Sequence, residues 1–141
     1  MSHPILERHI ERRALKPLYL FYGEEEFLMH RALQRLEAAL GGQAGEAPLK
    51  VVQEAQEVSL SDFLAQSRNA PLFGTGQLLV LRHVDTYPAA ALKAVNEYLD
   101  RPAPRAWVVL IGEGLKVRDL AKSPWSRIQQ ADAALGFLRL R

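Results

Sequence analysis

Short apolar runs alternate along the chain with longer stretches in which apolar residues recur at helical spacing. The continuous apolar runs predict buried strands, at 18–22, 49–53, 77–82, 107–111 and 133–140. The amphipathic stretches between them predict helices, at 24–40, 60–68, 88–99 and 119–130. This alternation favours an α/β fold, with a three-layer, parallel, five-stranded sheet covered by helices on both faces.

Breaker and capping residues set the expected boundaries. Gly41-Gly42 is expected to end the first of these helices, Ser59 to open the second and Pro88 to lie in the first turn of the third. Pro124 is expected to break or kink the fourth. A short helix is predicted within 5–16, before Pro17, so we divide the chain into a lead-in segment, 1–16, and one domain, 17–141.

Composition narrows the class of protein. The 141 residues are 48% hydrophobic and 24% charged, which is typical of one globular domain. The net charge of +2 does not demand nucleic-acid binding. The chain has no cysteine, and no apolar run is long enough to span a membrane, so we expect a cytoplasmic protein. The end after the last strand fits either a complete small domain or a piece of a longer chain.

The turn after the first predicted strand is Gly23 followed by Glu24, Glu25 and Glu26. A phosphate-binding loop at this place needs several glycines, a lysine and a hydroxyl. Three carboxylates would repel a triphosphate, whereas they suit the positive end of a helix dipole. Consecutive helical residues also point about 100° apart, so three neighbours do not converge on one ion. The turn therefore predicts a helix start rather than a nucleotide site.

Other parts of a hydrolysing ATPase are missing from the pattern. Magnesium requires a carboxylate at the end of a buried strand, but the third strand ends in Arg82 and His83, and Asp85 is the nearest acid. The fourth strand is followed by Gly112-Glu113, without a polar residue of the kind that senses a γ-phosphate. No pair of histidines has zinc-site spacing. We expect no catalytic residue, no cofactor and no metal.

Leu72 and Phe73 stand in a turn-rich stretch, between Pro71 on one side and Gly74 and Gly76 on the other. Two large apolar residues outside a regular element fit an exposed pair that inserts into a partner. The alternative is that both fold inward over the edge of the sheet. The pattern alone favours the inward packing, because large apolar residues are more often buried.

Three segments together resemble one family. They are Leu-Tyr-Leu-Phe-Tyr-Gly-Glu-Glu-Glu-Phe-Leu at 18–28, Ala-Pro-Leu-Phe-Gly with the strand that follows at 70–82, and Trp-Val-Val-Leu-Ile with Leu-Lys-Val-Arg-Asp-Leu at 107–120. In this order they are similar to the N-terminal domain of the δ subunit of bacterial DNA polymerase III, a clamp-loader subunit. The resemblance covers most of residues 17–141.

The resemblance implies an AAA+ fold, like that of P-loop NTPases, without a functional phosphate loop. It implies a non-catalytic subunit that binds the sliding clamp, helps to open it for loading during replication, and joins the ATPase motor subunits and δ′, with DNA present only in the assembled complex. Further C-terminal domains of the family would be absent from these 141 residues. Carried over by position, the clamp-binding plug is Leu72 and Phe73, which reverses the preference for inward packing. The contact rim would be Ser67, Arg68, Asn69 and Gly74.

The sequence departs from some relatives beside this pair, because Pro71 stands where serine is common and Arg68 where glutamine occurs. Two other functions stay open. One is a degenerate ATPase-like scaffold that never touches a clamp, against which the Leu-Phe pair and the lack of zinc-binding cysteines argue. The other is a small enzyme that uses the glutamates at 24–26 or Asp85. The basic residues on or near the last predicted helix are Lys116, Arg118, Lys122 and Arg127. For them, a solvated helix face is favoured over contact with DNA.

Overall fold

The computed structural model describes residues 3–44, 48–69 and 76–138. The strands are β1 (Leu18–Tyr22), β2 (Leu49–Glu54), β3 (Gln77–Arg82), β4 (Ala106–Gly112) and β5 (Ala134–Gly136). The α-helices are α1 (Pro4–Glu11), α2 (Glu26–Ala44), α3 (Leu60–Ala65), α4 (Ala89–Asp100) and α5 (Trp125–Gln130). Short 3₁₀ helices lie at Ala55–Glu57, Gln66–Arg68, Val84–Thr86 and Val117–Ala121.

All strand pairs are parallel, and the sheet order is β2-β3-β4-β1-β5. Every residue of β1 is buried, as are all but one in each of β3 and β4. Because successive side chains point to opposite faces, burial of consecutive residues requires cover on both faces. The predicted α/β fold with a covered, parallel, five-stranded sheet is therefore confirmed.

The helices fall into two contacting groups. Helix α1 packs with α2, and α3 packs with α4. Helix α5 joins the second group, because Arg127 pairs with Asp100 at 2.8 Å and donates to the carbonyl of Asn96 at 3.1 Å. Parallel crossovers are right-handed, and the β1-to-β2 crossover runs along the sheet in the direction opposite to the other three. The rule therefore places α2 on one face and α3, α4 and α5 on the other.

Several predicted boundaries were wrong. Helix α2 does not end at Gly41-Gly42 but continues to Ala44, because glycine weakens a helix by about 1 kcal/mol without forbidding it. The predicted helix 60–68 narrows into a 3₁₀ turn after Ala65. Pro124 divides the predicted helix 119–130 as expected, but the first part is a 3₁₀ helix that already begins at Val117 and only the second part, α5, is α-helical. Strand β5 covers only 134–136 of the predicted 133–140, of which 139 and 140 lie outside the described residues.

Helix α1 is held to β1 through a buried histidine and tyrosine. The His9 Nδ1 and Tyr19 Oη atoms lie 2.6 Å apart, and the Lys16 amide donates to Tyr19 Oη at 3.1 Å. Burial raises the pKa of Tyr19 to about 12, so its hydroxyl keeps its proton. Burial, reinforced by the charge of Lys16, lowers the pKa of His9. Both shifts favour a hydrogen bond between a protonated hydroxyl and a neutral imidazole.

His3, at the start of α1, also has a lowered pKa. Its Nδ1 accepts the Ile5 amide at 3.2 Å, and its ring meets Phe137 edge-on at 5.3 Å between centroids. Burial lowers the pKa of His3 as well. Because both folded pKa values lie below the unfolded value of about 6.5, the unfolded chain binds these protons more readily. Their effect on stability is absent well above that pH and becomes unfavourable as the pH falls through it.

We predict that the melting temperature falls by several degrees between pH 7.5 and pH 5.5, above the range in which carboxylates titrate. The His3→Asn/His9→Gln variant should lose most of this dependence, because asparagine still caps α1 and neither side chain takes up a proton. His30→Gln, at an exposed position on α2, is the control. Melting curves at fixed ionic strength measure the effect, and an equal pH slope in wild type and double variant would contradict the assignment.

Candidate functional site

The segment that contains the predicted plug joins two positions in contact at the end of the sheet where the strands begin. The side-chain amide of Gln77, the first residue of β3, donates to the carbonyl of Asn69. The Gln77 backbone amide donates to the Arg105 carbonyl at 3.1 Å, and the Gly76 carbonyl accepts the Leu49 amide at 3.0 Å. Asn69, Gly76 and Gln77, the described residues on either side of 70–75, therefore lie together beside the starts of β2, β3 and β4.

The predicted contact residues have different surroundings. Leu72, Phe73 and Gly74 lie outside the described residues. Asn69 is exposed. Ser67 is 5% exposed, and its hydroxyl donates to the Leu64 carbonyl at 2.6 Å.

Arg68 is exposed but engaged within the domain. Its guanidinium lies over the Tyr98 ring, 5.4 Å from the centroid, and donates to the Arg101 carbonyl. Such a position over an aromatic face is favourable for a cation. Arg68, the residue before Asn69, thus contacts both helix α4 and the α4–β4 connection.

A pocket of about 360 Å³ opens beside this anchor. Its lining comes from the end of the 3₁₀ helix 66–68, the start of β3 and the connection into β4, and consists of Ser67, Arg68, Asn69, Gln77, Ala103, Pro104 and Arg105. The carboxyl ends of the strands, where α/β proteins usually bind ligands, lie at the opposite end of the sheet. Asn69 and Gln77, which flank the predicted plug, therefore lie at the end of the sheet opposite the place of a nucleotide site.

The connection from β1 to α2 is short and closed by the chain itself. Only Gly23, Glu24 and Glu25 separate the strand from the helix, fewer residues than a phosphate loop contains between its first glycine and its lysine. The Phe137 amide donates to the Tyr22 carbonyl at 2.8 Å, and the Phe137 carbonyl accepts the Glu25 amide at 3.0 Å. The amide of Glu25, which leads into the helix, is therefore already bonded to protein.

Gly23 is required at this closure. Its φ of 115° is a conformation that side chains rarely adopt, and a Cβ atom there would lie 2.4 Å from the Phe137 carbonyl oxygen. The glutamates after it stand before the helix or in its first turn, with Glu26 as the first residue of α2. This placement agrees with the predicted dipole role.

The ends of β2, β3 and β4 are joined by ion pairs. Arg82 lies 3.6 Å from Glu54 and 3.4 Å from Glu113, measured between guanidinium nitrogen and carboxylate oxygen. His83, with φ 64°, lies between the same two carboxylates, and its amide donates to Glu113 at 3.2 Å. Glu54 and Glu113 are thus both paired with Arg82 and with His83.

The described residues contain neither a metal-binding cluster nor a membrane-spanning helix. In that part of the chain, no group of three or more histidine, cysteine or acidic side chains is arranged to hold a metal ion. Nor is any of its helices long and apolar enough to cross a membrane. Trp125 is buried, and Trp107 is partly buried and packs against the core.

Three partners in these arrangements were not found from the sequence. Gln77 begins a predicted apolar strand, and a polar residue at the first position of such a run is a signal for a contact at the strand start. Glu54 and Glu113 were not linked to Arg82, from which they are 28 and 31 residues distant in sequence. Pairing over such separations requires the sheet order, which no local pattern contains.

Comparison with solved structures gives the same fold in clamp-loader proteins. The Bacillus subtilis DNA clamp loader delta protein superposes with a TM-score of 0.74 at 18% identity, over 96% of this chain and 42% of that protein. A DNA polymerase III gamma subunit-related protein from Thermotoga maritima superposes with a TM-score of 0.55 at 14% identity, over 96% of this chain and 46% of that protein. This chain thus spans less than half the length of either. At these identities the likeness establishes the fold.

Comparison by sequence supplies the family. No curated protein matches the chain. The family model described as DNA polymerase III, delta subunit, matches residues 19–133. This match covers most of the chain: it contains β2, β3, β4 and all of β1 except Leu18, and it ends just before β5. The chain therefore belongs to the family of DNA polymerase III delta subunits.

Proposed function

We propose that this domain is the clamp-binding part of a clamp-loader subunit, and that it engages the sliding clamp of a bacterial replicase through Leu72 and Phe73. Family membership supports the clamp-loader role. The observation that carries the choice of residues is the contact between the residues that flank 70–75. There the Asn69 carbonyl accepts the Gln77 side-chain amide, and we call this contact the anchored stem. Leu72 and Phe73 are the two central residues of the six that this stem joins.

The proposed contact is an apolar insertion. Burial of a leucine and a phenylalanine side chain contributes about 3–6 kcal/mol before the costs of association. An anchored stem reduces the conformational freedom that binding must remove. Pro71 acts in the same direction, because its ring fixes its own φ and restricts Ala70. Ser67, Arg68, Asn69 and Gly74 remain the proposed rim, with the buried Ser67 acting through its neighbours.

Clamp opening follows from differential affinity. A bound protein shifts an equilibrium only as far as it binds one state more tightly than the other. We propose that the domain binds a clamp with a distorted interface better than it binds the closed ring. The ATPase motor subunits and δ′ are its proposed partners in the loader, with DNA present only in the assembled complex in the cytoplasm.

We also propose that the domain itself neither binds nor hydrolyses ATP. Three features of the chain support this. The β1–α2 connection has three residues and its Glu25 amide is bonded to Phe137. It carries glutamates where a phosphate loop has lysine and hydroxyl groups. At the end of β3, Arg82 lies between Glu54 and Glu113, so the position expected for magnesium is next to a cation.

The first prediction concerns the plug. Leu72→Ala/Phe73→Ala should weaken binding to the cognate sliding clamp by about 100-fold or more, because it removes the central apolar contact. Isothermal calorimetry with the purified clamp measures the affinity. The chain offers a matched control in Phe27→Ala/Leu28→Ala, which truncates an equally apolar pair, 69% and 42% exposed, at the other end of the sheet. Equal affinities for wild type and the plug variant, or no binding by either, would refute the proposal.

The second prediction concerns the stem. Gln77→Ala should weaken clamp binding by several-fold, because the Asn69 carbonyl loses its donor and the segment becomes less ordered before binding. Gln66→Ala is the matched control, since it removes a side-chain bond to Gln53 of 2.8 Å and keeps the Gln66 carbonyl that accepts the Asn69 amide. In the Leu72→Ala/Phe73→Ala background the Gln77 effect should disappear. An unchanged affinity in Gln77→Ala, at wild-type melting temperature, would show that the stem contact does not serve binding.

Nucleotide binding distinguishes this function from that of a small enzyme that uses the glutamates at 24–26 or Asp85. A ligand that binds the folded state raises the melting temperature. ATP with magnesium, up to millimolar concentration, should leave the melting temperature unchanged. An established ATP-binding protein in the same buffer serves as positive control. A rise that saturates with ATP, and that is lost in Glu24→Gln/Glu26→Gln or Asp85→Asn, would support the enzyme instead.

A further inference from the structure

The two ends of the sheet carry opposite charge. We define the amino edge as the residues from the end of each helix to the start of the next strand. Its described part contains more cations than carboxylates. The cations are Arg12, Arg13, Lys16, Arg68, Arg101 and Arg105. The carboxylates are Glu11, Asp100 and Asp132, of which Asp100 pairs with Arg127 at 2.8 Å and Asp132 with Arg8 at 3.1 Å.

The carboxyl edge runs from the end of each strand to the start of the next helix, with 3₁₀ helices counted as helices. Within the described residues it contains more carboxylates than cations. Its carboxylates are Glu24, Glu25, Glu26, Glu54 and Glu113, and its lysine and arginine residues are Lys116 and Arg82. Arg82 is placed between Glu54 and Glu113. The net charge of +2 therefore conceals a separation of charge along the strand direction.

The cations of the amino edge lie on neighbouring connections. The sheet order places the starts of β3, β4 and β1 side by side. The Gln77 amide donates to the Arg105 carbonyl at 3.1 Å, and the Val108 amide donates to the Pro17 carbonyl at 2.9 Å. The same edge holds Asn69 and Gly76, between which residues 70–75 are connected. The positive surface thus adjoins the segment that contains Leu72 and Phe73.

We propose that the amino edge is a docking surface for an acidic protein surface, namely the region of the clamp around the pocket that receives Leu72 and Phe73. This inference rests on the proposed function. Exposed charges at the rim of an interface contribute mainly to the rate and orientation of encounter, whereas the apolar pair supplies affinity. The negative carboxyl edge would repel the same surface, so the charge separation selects the orientation in which the plug faces its pocket.

A protein surface fits these observations better than a nucleic acid does. Binding to single strands or to unstacked bases uses exposed aromatic side chains beside the cations. At the described part of this edge, Tyr98 is buried under Arg68 and Trp107 packs against the core. The apolar Leu-Phe pair beside the cations also suits a protein pocket and not a phosphate backbone.

The test is the association rate constant with the cognate clamp, measured by stopped-flow fluorescence at low and high ionic strength. Arg12→Glu/Arg101→Glu reverses two exposed cations of the amino edge, and Arg118→Glu/Lys122→Glu reverses two exposed cations that lie outside it. Both variants change the net charge by the same amount. We expect the amino-edge variant to associate about tenfold more slowly at low salt, with little difference at high salt. The control should associate within about twofold of wild type.

The outcomes separate this inference from the function on which it rests. Equal slowing in both variants, or no slowing in either, would overturn the docking surface, while loss of binding in Leu72→Ala/Phe73→Ala would still uphold the plug. Absence of clamp binding by the wild type would overturn both. Titration of the same variants with duplex DNA provides the remaining arm. If Arg12→Glu/Arg101→Glu loses DNA binding and keeps the wild-type association rate with the clamp, the surface serves nucleic acid and the inference is wrong.

Discussion

The parallel arrangement of all five strands is the constraint on which the rest of this structure depends. In a parallel sheet every strand starts at one end and finishes at the other, so each connection belongs to one of two edges. Ligand sites of α/β proteins lie at the carboxyl ends. In this domain the segment with the proposed plug belongs to the amino edge, where Asn69 and Gln77 meet. The proposed protein contact and the usual place of ligand chemistry are therefore at opposite ends of one sheet.

Two places on the carboxyl edge are joined by groups of the chain itself. Phe137 has two contacts there, because its ring packs at 5.1 Å from that of Phe21 while its backbone bonds to both Tyr22 and Glu25. Arg82 and the two glutamates around it join the ends of three neighbouring strands. Partly exposed ion pairs of this kind contribute little stability individually. The sheet is stabilised chiefly by its buried strands.

The strands could be predicted from the sequence and several boundaries could not. A run such as Leu78–Leu81 is apolar throughout because both faces of its strand are covered, and this signal is local. The end of α2 was misplaced because Gly41 permits either a helix or its end, and the surroundings decide. At the site, the Leu-Phe pair could be noticed from its turn-rich setting and from the family resemblance. The Gln77–Asn69 contact could not, because it depends on how the segment closes in space.

The anchored stem matters for the proposed mechanism because an opening force needs a stiff attachment. If residues 70–75 were joined to the domain by a loose stem, the segment would follow the clamp surface and bind its closed and distorted states alike. Such binding would shift nothing, however tight it was. Gln77 holds one end of the segment, and Arg68 connects the other to α4 through Tyr98. The proposed plug, flanked by these contacts, would favour one clamp geometry over another, since the elements that bear the contacts resist displacement.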